Sequence, residues 1–184
     1  MEIEQTESSS YVKVSYKLSS STQKTGYDVD VKVSKGSTEK EMEEWVKGFD
    51  SWDVCDQVCG NLFDKTDFAW KKAVEFTKRK EEFVKRTGFV LMATLAVHDK
   101  KAKNKDFESF FPLIKKHSLD ERNFVKKAVN WALRQIGKRN LALNKKAIKI
   151  AKEIQKIDSK SARWIANNAL TELTSEAVQK RLRK

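Results

Sequence analysis

The chain has 184 residues, enough for one domain with a sizeable core, or one domain and a small appendage. Charged residues make up 35% of it, and the formal net charge of +12 is unevenly placed. Residues 1–50 carry 7 basic and 10 acidic side chains, and the remainder carries 31 and 16, so a basic body follows an acidic start. Such a body suits a polyanion, nucleic acid first; a solvated lysine-rich surface is the plainer reading. No apolar run approaches the roughly 18 residues of a membrane span, and the start MEIEQTESSS is unlike a signal peptide. These features predict a cytoplasmic protein with no membrane contact. Nothing resembles a phosphate loop, a Ser/His/Asp set or a zinc deaminase signature.

In chain order, the first expected elements are strands. YVKVSYKL alternates Val12, Val14, Tyr16 and Leu18 against Lys13, Ser15 and Lys17, and YDVDVKV does the same with Tyr27, Val29, Val31 and Val33. With a polar loop ending in Gly26 between them, residues 11–33 read as an antiparallel β-hairpin. An isolated hairpin is marginal in water, so its apolar face must be covered by the first helices or by a second copy of the chain. The second option predicts a homodimer through the hairpin. Residues 1–36 are taken as this appendage and 37–184 as a helical domain.

From Thr38 the apolar period lengthens from two to near 3.6. Helices are predicted at about 38–49, 53–64, 67–79, 81–99, 107–117, 120–138, 144–157, 160–173 and 175–182. Thr38 with Glu41, Thr66, Ser159 and Ser175 mark starts. Pro112, the single proline, should kink or divide its helix. Helix pairs recur about every 40 residues, as in a mainly α, HEAT-like αα-repeat solenoid, although this weak repeat alone supports only an all-α domain.

Three constellations carry chemistry. Trp52 and Asp56 stand four apart, one turn on a shared helix face, with Cys55 and Cys59 on the same helix. Those two thiols have no further Cys or nearby His to complete a metal set, so no metal is expected and they read as buried. Lys85-Arg86 follows on a later helix. In FVKKAVNWALR, Phe124, Ala128, Trp131 and Ala132 recur at helical spacing among Lys126, Lys127 and Arg134, and Lys138 and Arg139 come just after. An aromatic ring beside a guanidinium offers a π surface and phosphate-pairing donors together. The plainer readings are core tryptophans, a surface carboxylate and a solvated basic face. Trp45, Trp70 and Trp164 are read as packing.

EEWVKGFDSWDVCDQVCGNLF, EEFVKRTGFVLMATLAVHDKK, DERNFVKKAVNWALRQIGKRN and SKSARWIANNALTEL together resemble the DNA alkylation repair family, over about residues 37–184. Its bacterial members are glycosylases built from HEAT-like repeats. The resemblance implies that Asp56 is the catalytic carboxylate and that Trp52 and Trp131 are the two cleft tryptophans. It also implies that Arg86 and Arg134 contact DNA. Lys126, Lys127, Lys138 and Arg139 would add phosphate neutralisation on double-stranded DNA. The expected activity is release of alkylated, cationic purines without base flipping and without a cofactor. A non-catalytic DNA-structure-binding protein and a protein-interaction scaffold are the alternatives. Residues 1–36 depart from the family pattern, which has further helices before the Trp-Asp segment. On this reading Trp52, Asp56, Arg86, Trp131 and Arg134 should converge on one concave surface.

Overall fold

The computed structural model describes residues 14–15, 28–29 and 38–183. The chain divides into two compact units, Met1–Met42 and Glu43–Lys184. In the first, β1 (Val14–Ser15) pairs antiparallel with β2 (Asp28–Val29), with Val14 opposite Val29 and Ser15 opposite Asp28. The rest of the hairpin expected over 11–33, its covered faces and the homodimer it invites lie outside the described residues. Helix α1 (Glu39–Lys47) opens on the expected capping box. The Glu41 amide donates to Thr38 Oγ1 at 3.2 Å, and the Thr38 amide donates to Glu41 Oε2 at 2.6 Å.

The second unit is mainly α-helical. It runs through α2 (Trp52–Asn61), a 3₁₀ turn at Phe63–Lys65, α3 (Ala69–Thr77), α4 (Glu82–His98) and α5 (Asn104–Glu108). Then come α6 (Phe111–His117), α7 (Asn123–Gly137), α8 (Leu141–Gln155), α9 (Lys160–Leu173) and α10 (Glu176–Leu182). Among the described residues, no helix is long and apolar enough to cross a membrane.

Helix α4 is the centre of this unit. Its residues from Arg86 to Ala96 are all buried, as expected of a helix that is apolar nearly all round. It packs on α2, α3 and α7, and α7 packs in turn on α8 and α9. Phe89, Leu91, Met92 and Leu95 are essentially inaccessible. Burial of each such side chain stabilises the fold by about 1.5–3 kcal/mol. Gly88 permits the α3–α4 approach, because a Cβ there would lie 2.8 Å from the Thr77 nitrogen and 2.9 Å from the Ala73 oxygen. Backbone atoms cannot yield as a flexible side chain would, so alanine at 88 would push the two helices apart.

Several boundaries differ from the sequence expectation for local reasons. The helix expected over 107–117 is two helices, α5 and α6, parted at Ser109–Phe110. Pro112 falls in the first turn of α6, where its missing N–H leaves no intrahelical bond unmade. Thr66 is not a helix cap: its hydroxyl donates to the Phe63 carbonyl at 2.7 Å, and α3 begins only at Ala69. Helix α8 starts at Leu141 rather than near 144, because Asn140 accepts from the Leu143 amide at 3.0 Å. Ser159 and Ser175 do cap α9 and α10, accepting from the Ala162 and Val178 amides.

Candidate nucleic-acid interface

Helix α2 buries Cys55, Val58 and Cys59, which fixes the opposite edge outward. Trp52 opens that edge and is 53% exposed. Asp56 lies one turn further on. The thiols beneath are free and fully buried. Cys55 Sγ lies 3.2 Å from Thr87 Oγ1, and burial, with Cys55 beside it, pushes the Cys59 thiol well up. Among the described residues no three His, Cys, Asp or Glu side chains form a metal-binding group.

Asp56 is held by Arg86 of α4 through two parallel hydrogen bonds. Arg86 Nε donates to Oδ1 at 2.9 Å and Nη2 to Oδ2 at 2.7 Å. The remaining nitrogen, Nη1, donates to the Phe124 carbonyl of α7 at 2.7 Å. One guanidinium therefore ties α2, α4 and α7 together, and Arg86 is only 5% exposed. Such a forked pair is geometrically selective and strongly directional. Burial raises the Asp56 carboxyl above its ordinary value, although the Arg86 hydrogen bonds and charge pull it down.

Helix α7 supplies the other wall. Ala128 and Ala132 are buried against its neighbours, whereas Trp131 is half-buried and turned with Phe124 toward the open side. The four residues taken from sequence as one apolar face thus split between core and cleft. Trp52, Asp56, Arg86, Phe124, Lys127, Trp131 and Arg134 line a single cleft of about 350 Å³. The five residues expected to converge do so, from α2, α4 and α7.

The other sequence-named cations are placed less uniformly. Lys138 and Arg139 line a neighbouring cleft of about 550 Å³, together with Lys100 and Arg181. Arg139 is turned largely inward, donating to the Ala96 and Ala102 carbonyls at 3.0 and 3.2 Å and lying 4.5 Å above the Phe107 ring. Lys126 lines neither cleft and sits 5.1 Å over the Trp164 ring. Trp164, read from the sequence as packing, is 40% exposed and lies outside the core. Trp45 and Trp70 do pack, stacking on Phe63 and Phe110 with ring centres 6.0 and 5.0 Å apart.

Two participants escaped the sequence reading. The Phe124 carbonyl is a backbone acceptor and leaves no residue-type signal. Glu172 of α9 takes a hydrogen bond from Arg134 Nη1 and another from Lys138 Nζ, the latter at 2.6 Å. Burial raises its carboxyl, but the two cations together hold it below the ordinary glutamate value. Only the packing of α7 on α9 brings these three charges together.

A helical unit whose cleft combines tryptophan faces, a guanidinium-held carboxylate and rim cations offers π surface and positive charge in one place. Residues 22–173 match the model of the family described as DNA alkylation repair enzyme, and the chain belongs to that family. The match ends at the last residue of α9 and begins at residue 22, earlier than the four sequence segments alone suggested. Comparisons with curated proteins and with solved structures gave no significant match. Membership supports a role in DNA alkylation repair.

Proposed function

We propose that the chain is a monofunctional DNA glycosylase releasing cationic, alkylated purines from double-stranded DNA without extruding the base. The observation that carries this reading is the single cleft that Asp56 lines together with Trp52, Trp131, Lys127 and Arg134. Helices α4, α7 and α9 are read as neighbouring inner helices of a HEAT-like stack. That arrangement makes one extended surface from residues distant in sequence.

The chemistry asks little of the protein. As the glycosidic bond breaks, its electron pair goes to the cationic purine, which leaves neutral, and the deoxyribose gains oxocarbenium character. A carboxylate near that sugar stabilises the developing charge, and water then adds to the sugar carbon with loss of a proton. Asp56 is the group for this work. The π faces of Trp52 and Trp131 favour the same cationic sugar. Arg86, expected from the resemblance to contact DNA, turns its nitrogens to Asp56 and the Phe124 carbonyl, so it orients the carboxylate and opposes the neutralising effect of burial. Lys127 and Arg134 neutralise phosphates.

One observation favours a second reading. The fork from Arg86 also satisfies Asp56 as a structural ion pair would, which suits a non-catalytic protein that binds DNA structure. Release of methylated purines from alkylated duplex DNA decides between them. Base release supports the glycosylase. Salt-dependent DNA binding without release leaves the binding protein, and neither activity leaves the protein-interaction scaffold.

A further inference from the structure

Arg134 meets its carboxylate differently from Arg86. Arg86 forks Nε and Nη2 onto Asp56, whereas Arg134 reaches Glu172 with Nη1, and its Nε is buried with no hydrogen-bond partner among the described residues. A buried donor left unpaired is costly, so this pose of Arg134 is incompletely satisfied. Lys138, one turn along α7, reaches the other oxygen of Glu172. Arg134 lines the tryptophan cleft and Lys138 lines the second cleft, where Lys100, Arg139 and Arg181 also stand. A single carboxylate therefore occupies the two cations at the junction of two basic clefts.

We propose that this junction is a phosphate seat and that Glu172 is a resident anion which a DNA backbone phosphate displaces. The inference rests on the DNA-binding reading above and deepens it by naming a subsite and its occupant. Two cations converging on two oxygens of one anion match a phosphodiester as well as a carboxylate. Turning toward a phosphate frees Arg134 to use Nε with an Nη nitrogen, the fork that Arg86 already makes. Exchange is feasible because Arg134 and Glu172 side chains are each 28% exposed, so water can solvate the displaced carboxylate. The seat also discriminates. A backbone running from one cleft to the other brings further phosphates to Lys127 and Lys100, which offset the loss of Glu172, whereas a mononucleotide does not.

The test compares Glu172→Gln, Glu153→Gln and the unaltered chain, by titration with a short unmodified duplex over a series of salt concentrations. Glu153 pairs with Lys115 away from both clefts, so its variant removes the same charge without opening the seat. Glu172→Gln should bind about tenfold tighter, because a carboxylate no longer stands within a few ångströms of the seated phosphate. Its salt slope should steepen by about one as the seat fills completely. Glu153→Gln should match the unaltered chain. Should Glu172→Gln disturb folding, seen as a lowered melting temperature, Glu172→Asp replaces it. Its shorter arm spans the two cations poorly, so it should tighten binding in the same direction by less. Equal or weaker binding by these variants, or equal tightening by Glu153→Gln, overturns the seat while the DNA reading stands. An unaltered chain without salt-dependent duplex binding overturns both.

Discussion

Asp56–Arg86 and Glu172–Arg134 are chemically alike, each an arginine facing a carboxylate across two helices, and they differ in burial and in how the guanidinium is used. The Asp56 and Arg86 side chains are 17% and 6% exposed, and every guanidinium nitrogen of Arg86 has a partner. At the other pair both side chains are 28% exposed, and one arginine nitrogen is unpaired. A mostly desolvated, fully bonded pair is held fixed, because breaking it leaves a poorly solvated charge without its partner. A wetter, partly bonded pair can change partners. One ion-pair chemistry thus gives a fixed setting at Asp56 and, as proposed, an exchangeable contact at Glu172.

The largest effect should come from breaking the fixed pair. Arg86→Ala leaves the Asp56 carboxylate and the Phe124 carbonyl without their donors, and should destabilise the protein by about 3–5 kcal/mol. Arg134→Ala should cost at most about 1 kcal/mol, since water reaches its partner. Urea denaturation of both variants checks this. Equal costs would remove the distinction between the two pairs.

Next is the chemical consequence of the fixed pair. If the glycosylase reading holds, Asp56→Asn should slow base release about a hundredfold or more, roughly 3 kcal/mol, with DNA affinity similar or slightly higher. The amide keeps size and hydrogen bonding but loses the charge that stabilises the sugar cation. Single-turnover release from methylated duplex measures it, and full activity in Asp56→Asn would end the catalytic assignment.

How much of this could be read from the sequence depended on whether a signal was local. Helical spacing placed Trp52 and Asp56 on one face, and the capping patterns at Thr38, Ser159 and Ser175 named three starts that the structure has. Thr66 failed as a cap because a 3₁₀ turn at Phe63–Lys65 captured its hydroxyl, a competition that composition does not reveal. The cleft's membership came from the four family-like segments, since the 3.6-residue period alone cannot bring α2 beside α7. Burial of Arg86 and the engagement of Arg134 by Glu172 were not legible. Both depend on which helix crosses which, and an arginine reads the same in sequence whether it faces solvent or a buried aspartate. Trp164 is the reverse case: the sequence offers it as a packing residue, yet it is 40% exposed beneath Lys126.

Acid should separate activity from stability. The Asp56 carboxyl is raised by burial above its ordinary 3.8, so it protonates early as pH falls, and on the glycosylase reading base release should be lost in a window above pH 3.8. Glu81 lies near 2, lowered chiefly by its hydrogen bond from Arg79. Burial raises Asp120 and Glu172, but their basic partners outweigh it and both end below their ordinary values. A depressed carboxyl contributes stability that is present above its unfolded pKa and lost as pH falls through the folded value. The contributions of Glu81 and Glu172 should therefore persist until the pH drops below about 4.5, and that of Asp120 until it drops below about 3.8, their ordinary values. Asp56 has the opposite sign, since protonation favours the folded chain. Activity should fall at a pH where the far-ultraviolet circular dichroism is still native; coincident losses would show that the raised carboxyl does not limit the reaction.

If the chain binds DNA as proposed, the smallest effect concerns the Arg134–Glu172 pair. Arg134→Ala removes one cation from the cleft and releases Glu172 to Lys138 alone, so fewer phosphates are neutralised. The slope of log affinity against log salt should become shallower by about one. Duplexes of different sequence should weaken alike, because a phosphate contact positions DNA without reading bases. This is the opposite direction from Glu172→Gln, although both substitutions break the same ion pair. If the pair mattered only for packing, the two variants would weaken binding together through a loosened α7–α9 interface. Opposite signs, measured on one duplex at matched salt, mark a contact whose arginine serves the ligand and whose glutamate competes with it.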